Sequence, residues 1–158
     1  MADLIVKETE NGKGIFSNRR FKKGDKIFEF KGKFFTFDQL PTPYDEVEDH
    51  YVQIGKDLYM GPSGREDDLF NHSCNPNAGL KLNGRKVFLI AIRNIEKGEE
   101  IVWDYSTTMD EDEFEMVCNC GSKKCRKIVR DFKHLPEKLR QRYAKSGIVP
   151  RYNLKYIK

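Results

Sequence analysis

A single β-rich α+β domain is the fold class this sequence predicts, and three observations predict it. Short apolar runs alternate with polar residues for a few positions at a time, glycine-containing turns separate them, and only one segment, near the C-terminus, has helical periodicity. A chain of 158 residues is one ordinary domain, long enough to bury roughly 70% of its unfolded surface around a core.

In chain order, Leu4-Ile5-Val6 reads as a strand, Asn11-Gly12-Lys13-Gly14 as a glycine turn and Ile15-Phe16 as the returning strand. Taken alone, that Gly-x-Gly is a hairpin turn more often than a cofactor loop. After a turn at Phe21 to Asp25, Lys26 to Lys31 alternates polar and apolar like a half-buried strand, and Gly32 breaks it before Phe34 to Phe37. Pro41 to Tyr44 starts a loop and Asp45 to Asp49 is an acidic run. His50 to Ile54 and Asp57 to Met60 form a hairpin about Gly55-Lys56, and Ala78 to Leu82 with Lys86 to Arg93 form another about Asn83-Gly84, the dipeptide favoured in a type I′ turn. Ile101-Val102-Trp103 reads as the last strong strand, and Met109 to Val117 as a short acidic helix or loop. Pro136 to Ser146 is the amphipathic helix: Pro136 suits a first turn, Leu139 and Tyr143 share a face, and Gly147 follows the end.

Apolar residues make up 38% of the chain and charged ones 34%, with 11 Phe and 7 Tyr to furnish a core. The longest apolar run, Val87 to Ile92, is far below the roughly 20 residues a membrane helix needs. Met1 to Lys7 has neither the basic start nor the long apolar stretch of a secretory signal. An intracellular chain is therefore expected, cytoplasmic or, in a eukaryote, nuclear, with its thiols reduced. The net charge of +4 hides a division: residues 1–122 carry 16 Lys or Arg against 23 Asp or Glu, and residues 123–158 carry 13 against 2. The basic tail could contact nucleic acid, releasing counterions from phosphates, or could be a solvated helix offsetting its acidic neighbour. The acidic stretches Asp45 to Asp49 and Asp110 to Glu115 could steer a basic peptide, or could pair with that tail.

Asn71-His72-Ser73-Cys74-Asn75-Pro76-Asn77 places an amide, an imidazole, a hydroxyl and a thiol together, and Cys118-Asn119-Cys120-Gly121-Ser122-Lys123-Lys124-Cys125 supplies three more thiols. These are all 4 cysteines of the chain. Three clustered sulfurs and one distant partner suit a tetrahedral zinc site of Cys74, Cys118, Cys120 and Cys125 that ties two parts of the fold together. Two disulfides are the alternative.

With Gly12-Lys13-Gly14, the heptapeptide, then Gly98-Glu99-Glu100-Ile101-Val102-Trp103-Asp104-Tyr105, then Cys-x-Cys-x4-Cys, the chain resembles the SET-domain protein lysine methyltransferases from about Leu4 to Ile128. The cysteine cluster is similar to the post-SET segment of trithorax-type members. The resemblance implies small β-sheets around a pseudo-knot, in which residues 71–74 pass beside the strand ending at Tyr105. It divides the chain into a SET domain at 1–113, a zinc-binding post-SET segment at 114–130 and a basic helical extension at 131–158. It further implies S-adenosylmethionine contacts from Gly12, Lys13, Tyr51, Asn71, His72 and Asn119, a catalytic role for Tyr105, and zinc as the second cofactor. Trp103 stands where the family usually has Phe or Tyr and where the number of methyls transferred is influenced. Asp67-Asp68 replaces a commoner small residue and Arg.

The activity so implied is methyl transfer to a lysine of a protein or peptide, histone-like among the candidates. Asn71 has two donors and an acceptor for the amino-acid end of the cofactor, whereas His72 is expected to serve through its backbone. A lysine of reference pKa about 10.4 must lose its proton before it can attack, which burial and a nearby sulfonium both favour. The alternative from another class is a zinc-stabilised binding module that keeps the scaffold without turnover.

Overall fold

Turns decide where this chain reverses, and the computed structural model, which describes residues 2–41 and 50–158, puts several of them one or two residues from the glycines that suggest them. The acidic run Asp45 to Asp49, with most of the loop from Pro41 to Tyr44, lies outside the described residues. Strands β1 (Leu4–Thr9) and β2 (Gly12–Ser17) are antiparallel with Thr9 opposite Gly12. The loop is therefore Glu10-Asn11, and the glycines open β2, with Gly12 at φ +98°. β3 (Lys26–Phe30) follows, then the short β4 (Phe34–Phe35).

β5 (Val52–Gly55) and β6 (Leu58–Met60) make the expected hairpin, and with β4 they form a sheet in the order β4-β6-β5. β7 (Ala78–Asn83) and β8 (Lys86–Ala91) make the next, joined to β3 in the order β3-β8-β7. Asn83 pairs with Lys86, so the two loop residues are Gly84-Arg85 rather than Asn83-Gly84. Gly84 sits at φ +59° in the first loop position, where a type II′ turn needs glycine.

Strand β8 explains the longest apolar run. Val87, Leu89 and Ala91 point into the main core with Ile15, Phe21, Leu80, Ile95 and Ile101. Ile90 and the following Ile92 pack on the other side, against Phe132, Leu135, Tyr143 and Ile148. Both faces of β8 are covered, so its sequence does not alternate. Burial of each large aliphatic side chain contributes about 1.5–3 kcal/mol. The second cluster is built on α1 (Glu137–Lys145), where Leu139 and Tyr143 share the inward face as predicted. At Gly79 in β7 an added methyl would lie 2.6–2.9 Å from three carbons of Ile148. Gly79→Ala should therefore lower stability by about 1–3 kcal/mol, seen as a fall of several degrees in thermal unfolding with metal content unchanged.

Ile101 to Trp103 does not form a strand with a ladder of its own. Its backbone is shared out: Ile101 N donates to Ile15 O (2.8 Å), Ala78 N to Val102 O (3.0 Å), Ser73 N to Trp103 O (3.0 Å) and Trp103 N to Asn71 O (3.2 Å). The Asn77 amide takes the place of a neighbouring strand, accepting from Val102 N at 3.0 Å and donating to Glu100 O at 2.7 Å. Residues 71–78 thus run through the fold beside 100–103, with a parallel bridge between His72 and Trp103.

The acidic stretch after Met109 is a loop, not a helix, and ends in β9 (Met116–Val117), which pairs with β10 (Ile128–Val129). Side chains from elsewhere hold its amides: Gln53 Oε1 accepts from Asp110 N at 2.7 Å, and Asp131 Oδ2 accepts from Glu111 N at 2.7 Å and Asp112 N at 2.6 Å. The same stretch meets the basic tail through Lys155 with Asp110, Lys133 with Asp112 and Arg130 with Glu115. Part of the charge division is therefore an internal pairing, and exposed pairs of this kind orient segments more than they stabilise them.

Candidate active site

Asn71 joins three elements. Its Nδ2 donates to Lys13 O in β2 at 3.0 Å and to Glu100 Oε1 at 2.8 Å. A methyl at Gly14 would collide with Glu100 Oε1 and lie 2.9 Å from Asn71 Nδ2, so a side chain there would have to displace the Asn71–Glu100 pair. Gly14 and Glu100 stand in the Gly12-Lys13-Gly14 and Gly98 to Tyr105 motifs, and they join Asn71 in addition to the Gly12 and Lys13 contacts that the resemblance implies. Lys13 takes part through its carbonyl, and Gly12 supplies the backbone angle that opens the strand.

The next residue after Asn71, His72, makes contacts through its side chain. Burial, opposed only in part by the Asp104 carboxylate, pushes its pKa down to about 4, so the imidazole is neutral. Nδ1 accepts from Tyr105 N at 3.2 Å. The proton of a neutral ring is then on Nε2, which lies 3.3 Å from Cys74 Sγ and donates to it. Tyr105 is in this way tied to the cysteine cluster through one ring. Its own phenol donates to Phe70 O at 2.8 Å, and its ring centroid is 4.6 Å from that of Trp103 and 5.2 Å from that of His72.

Tyr105 is also where two cavities meet. The first is walled by Phe30, Tyr51, Met60, Phe70 and Trp103. The second is walled by Asn11, Asn71, His72, Met116 and Asn119. Tyr105 lines both. Asn11 Nδ2 donates to Asn119 O at 3.2 Å, closing the β1–β2 turn against the cysteine loop. The structure therefore brings Asn71, His72, Asn119 and Tyr105 together. It puts Tyr51 in the first cavity, where its ring meets Phe35 edge-on at 5.5 Å. Asp67 and Asp68 hold the loop before the motif: Asp67 accepts from Lys31 N at 2.9 Å and from Ser63 Oγ, and Asp68 from Ser63 N at 3.0 Å and Gly64 N at 2.7 Å.

The sulfurs of Cys74, Cys118, Cys120 and Cys125 all lie within 4.8 Å of one another, with Cys74 and Cys118 3.7 Å apart, and none is in a disulfide. A tetrahedron with Zn–S near 2.3 Å has sulfur edges of about 3.8 Å. Arg126 N and Lys127 N each point at a sulfur, Cys74 and Cys125 respectively, at 3.4 Å, as donors do toward thiolates. The donor set and its spacing fit zinc.

One group that sequence reasoning missed is the buried carboxylate between Trp103 and Tyr105. Asp104 receives both arms of the Arg126 guanidinium, at 2.8 and 2.7 Å, and the Tyr143 hydroxyl at 2.8 Å. Arg126 follows the last cysteine and Tyr143 lies on α1, so no local pattern signals the meeting.

The SET domain family model matches residues 12–106, more than half of the chain. The chain belongs to the SET domain family. Among relatives, this SET domain is 34% identical over 140 residues to the Variant-silencing SET domain-containing protein of Plasmodium falciparum (isolate 3D7), covering 78% of the chain and 5% of that protein. It is 27% identical over 140 residues to Histone-lysine N-methyltransferase 2B of Homo sapiens (79% and 5%), and 28% identical over 134 residues to Histone-lysine N-methyltransferase trithorax of Drosophila virilis (75% and 3%). The chain thus spans about a twentieth or less of the length of these relatives. Its fold matches KRYPTONITE in complex with mCHG DNA and SAH at a TM-score of 0.67 and 21% identity, covering 80% of this chain and 29% of that one. A second KRYPTONITE complex, with mCHH DNA, H3(1-15) peptide and SAH, matches at 0.67 and 20%, covering 82% and 30%. These likenesses agree with the β-rich architecture read from the sequence. Among the described residues, no helix is long and apolar enough to cross a membrane.

Proposed function

We propose that this SET domain transfers methyl groups from S-adenosylmethionine to a lysine ε-amine of a protein. The observation that carries the reading is the position of Tyr105, the residue common to an apolar cavity and to a polar one lined by Asn71, His72 and Asn119. Support comes from the histone-lysine methyltransferase names of the relatives and from structural neighbours crystallised with SAH and, in one case, an H3 peptide. S-adenosylmethionine supplies, when bound, a methyl already activated on a sulfonium with a neutral leaving group.

The protein's part is then positioning, which can contribute around 7–11 kcal/mol. Apolar walls at Phe70, Met60 and Trp103 disfavour an ammonium next to Tyr105, while the Asp67 and Asp68 carboxylates lining the same cavity would attract the lysine before it loses its proton. The Tyr105 phenol orients that amine, while its ring is held by Trp103 and His72. Asn71 and His72 line the polar cavity, with Asn119 brought over it by the cysteine loop and Gly12 and Lys13 shaping the strand behind. Tyr51 belongs to the apolar cavity in this reading and meets the lysine-bearing peptide rather than the cofactor. Zinc on the four cysteines would fix that loop; four thiolates leave a local charge of −2, which Lys123, Lys124, Arg126 and Lys127 offset. The division at 113 and 130 belongs to this reading, with the last part packed on β8 through α1. Lys138 and Arg142, which stand around Pro136 and Leu139 beside the cysteine loop, offer a face for nucleic-acid contact.

Calorimetry should find binding of S-adenosylmethionine, and labelled donor should mark a protein band in lysate or purified histones. A zinc-loaded sample that ignores the donor yet binds nucleic acid with a steep salt slope would replace the enzyme with a binding module. Trp103 sets the product. Its indole is bulkier than Phe, and its Nε1 is buried with no hydrogen bond among the described residues. The wild type should give mainly monomethyl-lysine, and Trp103→Phe a several-fold larger share of di- and trimethyl product in a mass-spectrometric time course. Mainly trimethylated wild-type product would remove Trp103 from this role.

A further inference from the structure

The family model stops at residue 106, yet the carboxylate next to Tyr105 is held by groups far beyond it. Asp104 is 1% exposed. Oδ1 accepts from Arg126 Nη2 at 2.7 Å and from Ser106 N at 3.1 Å, and Oδ2 accepts from Arg126 Nη1 at 2.8 Å and from the Tyr143 hydroxyl at 2.8 Å. Arg126 Nη2 also donates to Ser106 Oγ at 3.1 Å.

Burying an ionised carboxylate is costly unless its lone pairs are met, and here both oxygens are doubly occupied by donors from three segments. Burial, reinforced by the Asp104 charge, keeps the Tyr143 phenol protonated and therefore a donor. Arg126 is placed by the cysteine loop, because it directly follows Cys125 and its backbone N–H is on Cys74 Sγ. Tyr143 is placed by α1, whose inward face is locked into the second core. The carboxylate they share belongs to the residue between Trp103 and Tyr105, so a shift of Asp104 would carry with it two of the residues that line the apolar cavity.

We propose that Asp104, Arg126 and Tyr143 form a positioning clamp that makes the placement of Tyr105 depend on helix α1 and on the cysteine loop together. None of the three lines the two cavities that meet at Tyr105; they act through the backbone on either side of the carboxylate. The consequence for catalysis rests on the methyl-transfer reading above, but the mechanical link does not.

The test uses Tyr143→Phe, which keeps the ring and removes one hydroxyl. The chain has a single tryptophan, Trp103, so its fluorescence reports on the clamped segment without any turnover. Expected are a red-shifted and more acrylamide-accessible Trp103 emission, a fall of about tenfold in kcat, since a displacement of ångström size can cost more than that, and unchanged KM and zinc content. Tyr152→Phe is the comparison. It removes a half-buried phenol, bonded to Gln53 O at 2.9 Å and Thr108 O at 2.7 Å, and should lower the melting temperature while leaving the emission alone. Unchanged emission in Tyr143→Phe, or the same emission change in Tyr152→Phe, overturns the clamp. A wild type that transfers no methyl group sinks the enzymatic reading, and the emission comparison still decides the clamp.

Discussion

Cys125→Ser is expected to release the metal and stop methyl transfer in the same preparation. A serine hydroxyl does not ionise near neutral pH, so the site loses one of its four thiolates, and apparent zinc affinities worth about 10–16 kcal/mol depend on the full set. The damage reaches the centre by two routes. Cys118 and Cys120 flank Asn119, which roofs the polar cavity, and Cys74 accepts from the His72 ring that in turn accepts from Tyr105 N. The main core, from Ile15 through Leu89 to Ile101, contains none of the cysteines, so far-UV dichroism should remain largely native. Chelation of the wild type should give the same loss and zinc should reverse it, whereas the variant should not recover. Full activity in a metal-free sample, measured by atomic absorption and labelled-methyl transfer, would separate the cluster from catalysis.

Tyr105→Phe should lower kcat by about 10²–10³-fold, the scale of losing one well-placed polar group at a reacting centre. The ring would keep its packing on Trp103 and His72, and the amide would keep His72 Nδ1. The hydrogen bond to Phe70 O goes, worth about 0.5–1.5 kcal/mol of stability, so thermal unfolding should shift by only a few degrees. Affinity for S-adenosylmethionine, measured calorimetrically, should stay within about threefold, because the change affects orientation of the amine more than binding. Wild-type turnover by this variant would make Tyr105 a packing residue.

Much of this site is legible in the sequence because its residues sit inside short motifs. Asn71, His72, Asn119 and Tyr105 come together, and the four cysteines converge, from segments whose order and spacing already set them apart. Hairpins were legible to within a residue or two, because glycine marks a turn without saying which loop position it takes, as Gly84 demonstrates. Ile101 to Trp103 has the composition of a strand, but a side-chain amide at Asn77 took the hydrogen bonds a strand neighbour would have made. Asp104 with Arg126 and Tyr143 was out of reach: the partners lie 22 and 39 positions apart, and no helical or strand period links such distances. Tyr51 lines the first cavity together with Met60 and meets Phe35 edge-on, contacts made across the sheet that its own segment does not announce.

The passage of residues 71–78 alongside 100–103 predicts an order of assembly. Those two stretches are separated by the β7–β8 hairpin, which can close locally and early, whereas their own contacts are non-local and must wait for it. Asn77 cannot bridge Val102 and Glu100 until both are in place. Substitutions at Asn77 are therefore expected to slow refolding more than they hasten unfolding, marking this crossing as the kinetic bottleneck of the chain.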